Sequence, residues 1–159
     1  MFEKLIYDLL KYTFDGYEPE VVAILADADL LGSGIDRAVF ALDEHFVVKI
    51  PRSRYETQSS LEQRNYELML DYFAGDDDWR IPRMDFITVD NFTVVVAERV
   101  YGHLLAQTTN KAPINPWNAC DAHTQNIIVD DNDTMWLVDL GYAHGYSDDG
   151  FFANVPWAV

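Results

Sequence analysis

The stretch LGSGIDRAVFALDEHFVVKI, residues 31–50, decides the first part of the predicted fold. Two runs rich in β-branched and aromatic residues, 38–42 and 46–50, are separated by the three polar residues 43–45. Such a pattern predicts two strands joined by a short turn, an antiparallel hairpin. A glycine-rich segment, Gly32-Ser33-Gly34, comes directly before the first strand.

The rest of the chain extends this hairpin into a mixed fold. Helical periodicity predicts helices over 2–12, 19–30 and 57–73, the last with an apolar stripe of Leu61, Leu68 and Tyr72 around Asn65. Further strands are predicted over 83–88, 92–98, 126–129 and 135–138, with a loop over 101–117. The order predicts an α+β fold with a mostly antiparallel sheet and one inserted helix.

Composition excludes several classes of protein. A chain of 159 residues with 49% hydrophobic residues has the length and the core of one folded domain, and it is unlike a disordered chain. Its 27 acidic and 11 basic residues give a formal net charge of −16. We therefore expect no direct binding to nucleic acid phosphates or to an anionic membrane, because like charges repel.

The cellular setting is predicted from three further features. Cys120 is the single cysteine, so no internal disulfide can form and a reducing compartment is expected. The first dozen residues carry charges and lack the pattern of a signal peptide. No apolar run approaches the length of a membrane span. These features predict a cytoplasmic protein.

The first candidate for chemistry is the glycine-rich segment together with Lys49. Glycines let a backbone approach a phosphate closely, and a lysine on a strand supplies a fixed positive charge. The same residues also fit an ordinary turn and a solvent-facing strand residue. Glu62 and Glu67 on the following helix are candidates to pair with Lys49, although a solvated helix face explains them equally. They point about 140° apart, so only one can face the sheet.

The second candidate is Asp121-Ala122-His123-Thr124-Gln125-Asn126 followed by Asp139-Leu140-Gly141. A carboxylate can accept the proton of an attacking hydroxyl, and an amide oxygen with a second carboxylate can hold Mg²⁺ on nucleotide phosphates. Turns rich in Asp and Asn also arise by chance in an acidic chain. The joint spacing, five residues from Asp121 to Asn126 and thirteen more to Asp139, favours phosphoryl transfer.

Taken together, these motifs resemble the protein kinase-like superfamily over roughly residues 30–141. Residues 32–39 look like its glycine-rich loop, and Val47-Val48-Lys49-Ile50 like its lysine strand. The Asp-x-His-x-x-Asn segment at 121–126 is similar to the catalytic loop of aminoglycoside-phosphotransferase-like kinases and small phage-encoded kinases. Asp139-Leu140-Gly141 looks like the Asp-Phe-Gly motif. The resemblance implies one kinase-like domain, with an N-lobe over about 1–98 and a minimal C-lobe over about 99–159.

The resemblance also implies roles for individual residues. Asp121 is the implied catalytic base, Lys49 contacts the α- and β-phosphates, and Glu67 is its preferred partner because it lies deeper in the helix than Glu62. Asn126 and Asp139 are the implied metal ligands. The implied nucleotide-binding residues are Gly32, Ser33, Gly34, Val39, Lys49 and Glu98. ATP and Mg²⁺ are the implied cofactors.

The sequence also departs from that family. Arg37 replaces the third glycine of the loop, and Ala119 replaces the histidine that usually precedes the catalytic aspartate. Only 22 residues separate Glu98 from Asp121, and only 18 follow Gly141, so the helices and activation segment of a large lobe have no room.

Two functions follow from these features. The first is an ATP/Mg²⁺-dependent phosphotransferase that acts on a protein or on itself, phage-encoded and acting in the host cytoplasm. The alternative is a catalytically weak or inactive kinase-like protein whose acidic surface binds and inhibits a basic or nucleic-acid-binding partner, as a DNA mimic does. A reduced lobe with an exposed apolar face would also permit oligomer formation.

Overall fold

A computed structural model of the chain describes residues 1–73, 76–111, 113 and 124–140, without the side chains of 68 and 71–73. Two compact units are present. The first comprises Met1–Ser59 and Arg83–Arg99, and the second comprises Ser60–Pro82 and Val100–Val159. The predicted boundary near residue 98 differs from this division, because most of the third helix belongs to the second unit.

The helices are α1 (Glu3–Phe14), α2 (Pro19–Leu25) and α3 (Gln58–Phe73). The strands are β1 (Asp29–Ser33), β2 (Arg37–Ala41), β3 (Phe46–Pro51), β4 (Trp79–Arg80), β5 (Met84–Val89), β6 (Phe92–Glu98), β7 (His103–Leu104), β8 (Ile127–Val129) and β9 (Met135–Leu137). Short 3₁₀ turns cover Leu105–Gln107 and Thr124–Asn126.

The first unit is built on a five-stranded antiparallel sheet with the order β1-β2-β3-β6-β5. The predicted hairpin is its centre: β2 and β3 pair from Arg37–Pro51 to Ala41–Val47. The carboxylate of Asp43 closes the turn between them, because its Oδ1 accepts the backbone N–H groups of His45 and Phe46 at 2.7 and 2.8 Å. The predicted α+β class with an antiparallel sheet is confirmed.

One face of this sheet forms the main hydrophobic core with α1 and α2. The buried members of that core are Ile6, Leu9, Leu10, Val22, Ala23, Ala38, Phe40, Val48, Ile50 and Val94. Alternate residues along a strand point to opposite faces, so Ala38 and Phe40 of β2 share the helix-covered face with Val48 and Ile50 of β3. Arg37, Val39 and Lys49 therefore lie on the other face.

The second unit contains a four-stranded sheet with the order β4-β9-β8-β7. Asp130 closes the β8–β9 turn: its Oδ1 accepts the N–H groups of Asn132 and Thr134, and its Oδ2 accepts the indole N–H of Trp136 at 2.9 Å. Beside β7, Gly102 is required by close packing, because a Cβ there would lie 2.0 Å from the carbonyl oxygen of Val129.

Several predicted elements differ from the structure. Helix α2 ends at Leu25 rather than near residue 30, because Asp27 has a φ of 53° and the strand β1 begins at Asp29. Gly32, which has low strand propensity, conceals the strand character of β1 in the sequence. The segment 101–117, predicted as a loop, contains β7 and a 3₁₀ turn in its described part. Within the described residues, no helix has both the length and the apolar character needed to cross a membrane.

Helix α3 has the predicted extent, and several of its buried side chains are polar. Where its side chains are described, the buried residues are Gln58, Ser59, Glu62, Asn65 and Met69, four of them polar. Leu61 is only half-buried, and the side chains of Leu68 and Tyr72 lie outside the described part of the chain. Apolar periodicity therefore identified the helix but not the polar side chains that it buries.

Candidate functional site

Three of the six predicted nucleotide-binding residues, Gly32, Val39 and Lys49, lie in one row across the sheet of the first unit. Gly32 of β1 is directly opposite Val39 of β2, and Val39 is directly opposite Lys49 of β3. The row continues from Lys49 to Val95 of β6. Because residues in direct register share a face and neighbouring strands are about 4.8 Å apart, glycine, valine and lysine lie side by side on the face away from α1 and α2.

Neither Gly32 of this row nor the nearby Gly34 is required by the packing or backbone conformation of the described residues. Neither Gly32 nor Gly34 adopts the left-handed backbone that favours glycine. A Cβ at Gly32 would meet no atom of the described residues within 4 Å, and at Gly34 it would meet only the Arg37 carbonyl oxygen at an ordinary 3.6 Å. Gly102, by contrast, is needed for internal packing. Within the described residues, then, nothing in the fold itself requires glycine at 32 or 34.

Both cations on this face are buried. Lys49 is 5% exposed and Arg37 is 6% exposed. Arg37 lies within electrostatic range of Glu56, whose pKa is raised by burial, while the positive charge of Arg37 opposes that shift. The Glu56 carboxylate also accepts the backbone N–H of Gln58 at the start of α3. Arg37 stands where the resembled loop has its third glycine. Its buried positive charge stabilises the ionised form of the Glu56 carboxylate.

Arg52 fixes the glycine-rich turn from the opposite face. Its guanidinium donates to the hydroxyl of Ser33, and its backbone N–H donates to the carbonyl oxygen of Asp36 at 2.9 Å. Glu18 lies 4.0 Å from the same guanidinium. The contacts of Arg52 with Ser33 and with Asp36 hold the two ends of the turn that contains Gly34. Ser33 is opposite Ala38 and so lies on the face away from the Lys49 row, and its predicted contact with a phosphate stays a prediction.

In the second unit, α3 holds the segment that contains Asp139. The carboxylate of Glu62, which is 0% exposed, accepts the backbone N–H of Leu140 at 3.1 Å. The side-chain amide of Asn65 donates to the carbonyl oxygen of Leu140 at 2.5 Å. One buried residue thus has both of its backbone polar groups bound by polar side chains of the same helix. This arrangement fixes the backbone next to Asp139.

The two predicted metal ligands lie at the same end of the β8–β9 hairpin. Asn126 directly precedes β8, and its carbonyl oxygen accepts the N–H of Val138 at 3.0 Å. Asp139 follows Val138 and precedes the buried Leu140. Their amide and carboxylate oxygens are the ligand types that Mg²⁺ prefers. Among the described residues, no group of three or more His, Cys, Asp or Glu side chains is placed to hold a metal.

Glu67 and Glu62, the two candidate partners of Lys49, differ in burial on α3. Glu67 is exposed, whereas Glu62 is fully buried and bonded to Leu140. Residues five apart on a helix face different directions, and depth along the helix is a poor guide to burial. The burial expected of Glu67 is therefore found at Glu62, and the pairing of either glutamate with Lys49 stays a prediction.

Two further predicted site residues are the catalytic base Asp121 and Glu98, the expected neighbour of a nucleotide base. Asp121, the predicted catalytic base, lies outside the described residues, as do the neighbouring Cys120 and His123. Glu98 is exposed at the end of β6, where its carboxylate accepts the backbone N–H of Arg83 at 3.2 Å. The Glu98 side chain therefore joins β6 to β5, and its predicted place beside a nucleotide base stays a prediction.

Sequence reasoning missed two residues that shape the site, Asn65 and Arg52. Asn65 was placed within an apolar stripe, and its spacing of three residues from Glu62 was the available signal for a shared polar face. Arg52 had no sequence signal, because its contact with Ser33 spans 19 residues and depends on the pairing of three strands.

No protein-family model matches the sequence, and no curated protein matches it either. Several solved structures, among them the following three, show partial similarity. A GDP and kanamycin complex of the aminoglycoside phosphotransferase APH(2″)-IIIa is 17% identical, with 64% of this chain and 32% of that chain covered and a TM-score of 0.41. The bifunctional kinase-methyltransferase WbdD is 16% identical, with 67% of this chain and 30% of that chain covered and a TM-score of 0.44, and a ternary complex of streptomycin, ATP and APH(2″)-IIa is 19% identical, with 55% and 30% covered and a TM-score of 0.35. This chain spans less than a third of each of those proteins.

Proposed function

We propose that this protein is an ATP-dependent phosphotransferase of the protein kinase-like type. The observation that carries the proposal is the row of Gly32, Val39 and Lys49 across the sheet. Its glycine leaves open space that no described residue fills, and its lysine supplies a positive charge two strands away. A phosphate needs both features, close backbone approach and a fixed cation.

The second unit contributes the metal ligands in this proposal. Asn126 and Asp139 would hold Mg²⁺ through an amide and a carboxylate oxygen, and when bound the metal would neutralise charge on the nucleotide phosphates. Glu62 and Asn65 position this pair indirectly, because they fix the backbone of Leu140 beside Asp139. A buried pair of side-chain bonds to one backbone residue leaves little freedom to the neighbouring carboxylate.

The proposed acceptor is a protein hydroxyl. In the resemblance Asp121 is the group that takes the proton of this hydroxyl, and Asp121 lies outside the described residues. The likeness of its loop to that of small phage-encoded kinases makes a bacterial host protein, or the chain itself, the first substrate to test. With net charge −16, we expect a basic protein to associate faster than an acidic one.

Nucleotide binding tests the proposal directly. Isothermal titration of the full chain with MgATP should give saturable binding, and Lys49→Met should weaken it at least tenfold. The matched control is Lys111→Met, which removes an exposed lysine of the second unit. Equal affinity of the Lys49 variant and the wild type, or no binding of MgATP by the wild type, would contradict the proposed function.

A further inference from the structure

A second surface of the first unit lies on α2, apart from the Lys49 row. Val21, Ile24 and Leu25 are 40%, 79% and 45% exposed. Their spacing of three and four residues places them within one arc of about 100° on the helix. The opposite side of α2 buries Val22 and Ala23 in the core. Helix α2 therefore presents a second apolar face to solvent, which we call the α2 stripe.

The sequence around the α2 stripe is acidic. Between residues 12 and 36 it contains six acidic residues and no lysine, arginine or histidine. Glu20 lies on α2 beside the stripe and is exposed, as is Glu18 just before the helix, where Arg52 lies 4.0 Å away and offsets part of this charge. An exposed apolar stripe bordered by polar and charged residues is typical of a protein interaction surface.

A pocket of about 420 Å³ begins where α2 ends. Its carboxylates belong to Asp27 and Asp29, which follow the α2 stripe in the chain, and to Asp43 and Glu44 of the β2–β3 turn. Arg99 also lines the pocket, and its guanidinium donates to the carbonyl oxygen of Asp43 at 3.0 Å. Four carboxylates against one guanidinium leave the pocket with excess negative charge.

We propose that the α2 stripe and this acidic pocket form a docking surface for a basic amphipathic segment of a partner protein. The apolar side chains of that segment would cover Val21, Ile24 and Leu25, and a lysine or arginine beside them would enter the pocket. Charge complementarity selects this occupant, because phosphate backbones and anionic lipids would be repelled. The surface is independent of phosphoryl transfer.

A defined peptide serves as the probe. It is a 16-residue helix with leucines at positions i, i+3, i+4 and i+7 and lysines on its remaining faces, compared with two controls. One control has the same composition with the leucines dispersed, and the other replaces every lysine with glutamate. Titration of ¹⁵N-labelled full-length protein, followed by NMR shifts, gives both the affinity and the residues contacted.

Two sets of charge variants distinguish binding at the docking surface from non-specific attraction of a basic peptide to an acidic protein. Asp27→Gly with Asp29→Asn and Glu44→Gln removes three charges from the pocket, and glycine suits the φ of 53° at position 27. The matched control is Asp90→Gly with Asp133→Asn and Asp85→Asn, which removes three exposed charges elsewhere. Asp90 has a φ of 50°, so each set places glycine at one position with a left-handed backbone. Ile24→Ser tests the apolar contribution.

The expected result is saturable binding of the amphipathic basic peptide, with shifts confined to α2, β1 and the β2–β3 turn. The pocket variant and Ile24→Ser should each weaken binding about tenfold or more, and the control variant less than twofold. Equal weakening by both triple variants, equal binding of the dispersed peptide, shifts centred elsewhere or no saturable binding would each overturn the proposal. Tighter binding of duplex DNA than of the peptide would also overturn it.

Discussion

Each of the two units is stabilised internally by a different kind of interaction. In the first, α1 and α2 pack on a sheet through an apolar core whose centre, Phe40, is 0% exposed. In the second, α3 presents a buried polar face, and Glu62 and Asn65 hold Leu140 through backbone hydrogen bonds. The first unit is therefore a scaffold stabilised by apolar packing, which also carries the row of Gly32, Val39 and Lys49, whereas the segment around Leu140 in the second unit is positioned by hydrogen bonds.

The largest expected effect is the loss of apolar volume in the first unit. Phe40→Ala should lower the free energy of unfolding by about 3–5 kcal/mol, because it removes buried surface and leaves a cavity. The measurement is urea denaturation followed by circular dichroism. Ile35→Ala is the control, since Ile35 is 94% exposed, and it should change the free energy by less than about 0.5 kcal/mol. Similar losses for both variants would contradict the scaffold description.

A smaller loss is expected from the polar face of α3. Glu62→Ala should cost about 1–3 kcal/mol, because the buried N–H of Leu140 loses this acceptor. Glu62→Gln keeps an acceptor oxygen and should cost less, and Glu67→Gln, at an exposed position, should be nearly neutral. Hydrogen exchange at the Leu140 amide is the specific measurement. Unchanged protection in Glu62→Ala would show that this bond does not hold the segment.

Substitutions of Gly32 and Gly102 should have opposite effects on the stability of the fold and on MgATP binding. Gly32→Ala should leave the stability of the fold unchanged, because its backbone and surroundings accept a Cβ. It should weaken MgATP binding about tenfold, which corresponds to about 1.4 kcal/mol. Gly102→Ala should do the reverse and destabilise the chain, since its Cβ would clash with Val129. Thermal unfolding and nucleotide titration of both variants check this, and a stable Gly32→Ala with unchanged affinity would count against the phosphate row.

The smallest effect concerns pH and the β8–β9 turn. The hydrogen bond from the Trp136 indole is the main cause that lowers the pKa of Asp130. A carboxyl whose pKa is lowered by folding stabilises the fold above its unfolded pKa, about 4, and this contribution is lost as pH falls through the folded value. Asp130→Asn should therefore lower the melting temperature slightly at pH 7 and by less at about pH 3.

The side-chain amide introduced by Asp130→Asn would keep an acceptor oxygen for the N–H groups of Asn132 and Thr134, but it would present its NH₂ group to the indole. The Asp130→Asn effect should accordingly disappear in a Trp136→Phe background. An equal effect at both pH values, or in both backgrounds, would show that the indole bond is not its source.

The same contrast explains how much could be predicted from sequence. Strands β2, β3 and β6 and helix α1 were predictable because their burial is apolar and periodic, as at Phe40 and Leu9. Strand β1 was missed because Gly32 and Ser33 have low strand propensity, and it is stabilised by pairing with β2. Hydrophobic patterns indicate which apolar side chains fill the core. They give little indication of which polar side chain hydrogen-bonds to a backbone group far away in the sequence.

Within the candidate site, Gly32, Val39 and Lys49 were each predicted, but their direct register across the sheet was not, because β1 was not recognised as a strand. The burial of Glu62 rather than Glu67 was not predicted either, since Glu62 contacts a residue 78 positions away in sequence. Apolar periodicity gave no sign that α3 turns Glu62 inward.

Transfer of the γ-phosphate tests the central claim most directly. The full chain would be incubated with Mg²⁺ and γ-labelled ATP, alone and with host cell proteins, beside Asp121→Asn and Asp139→Asn variants whose folding is verified by circular dichroism. We predict label on the chain or on a protein substrate, a loss of at least a hundredfold in both variants, and retained MgATP binding in Asp121→Asn. Absence of transfer by a wild-type chain that binds MgATP, or equal labelling by the wild type and both variants, would contradict the account.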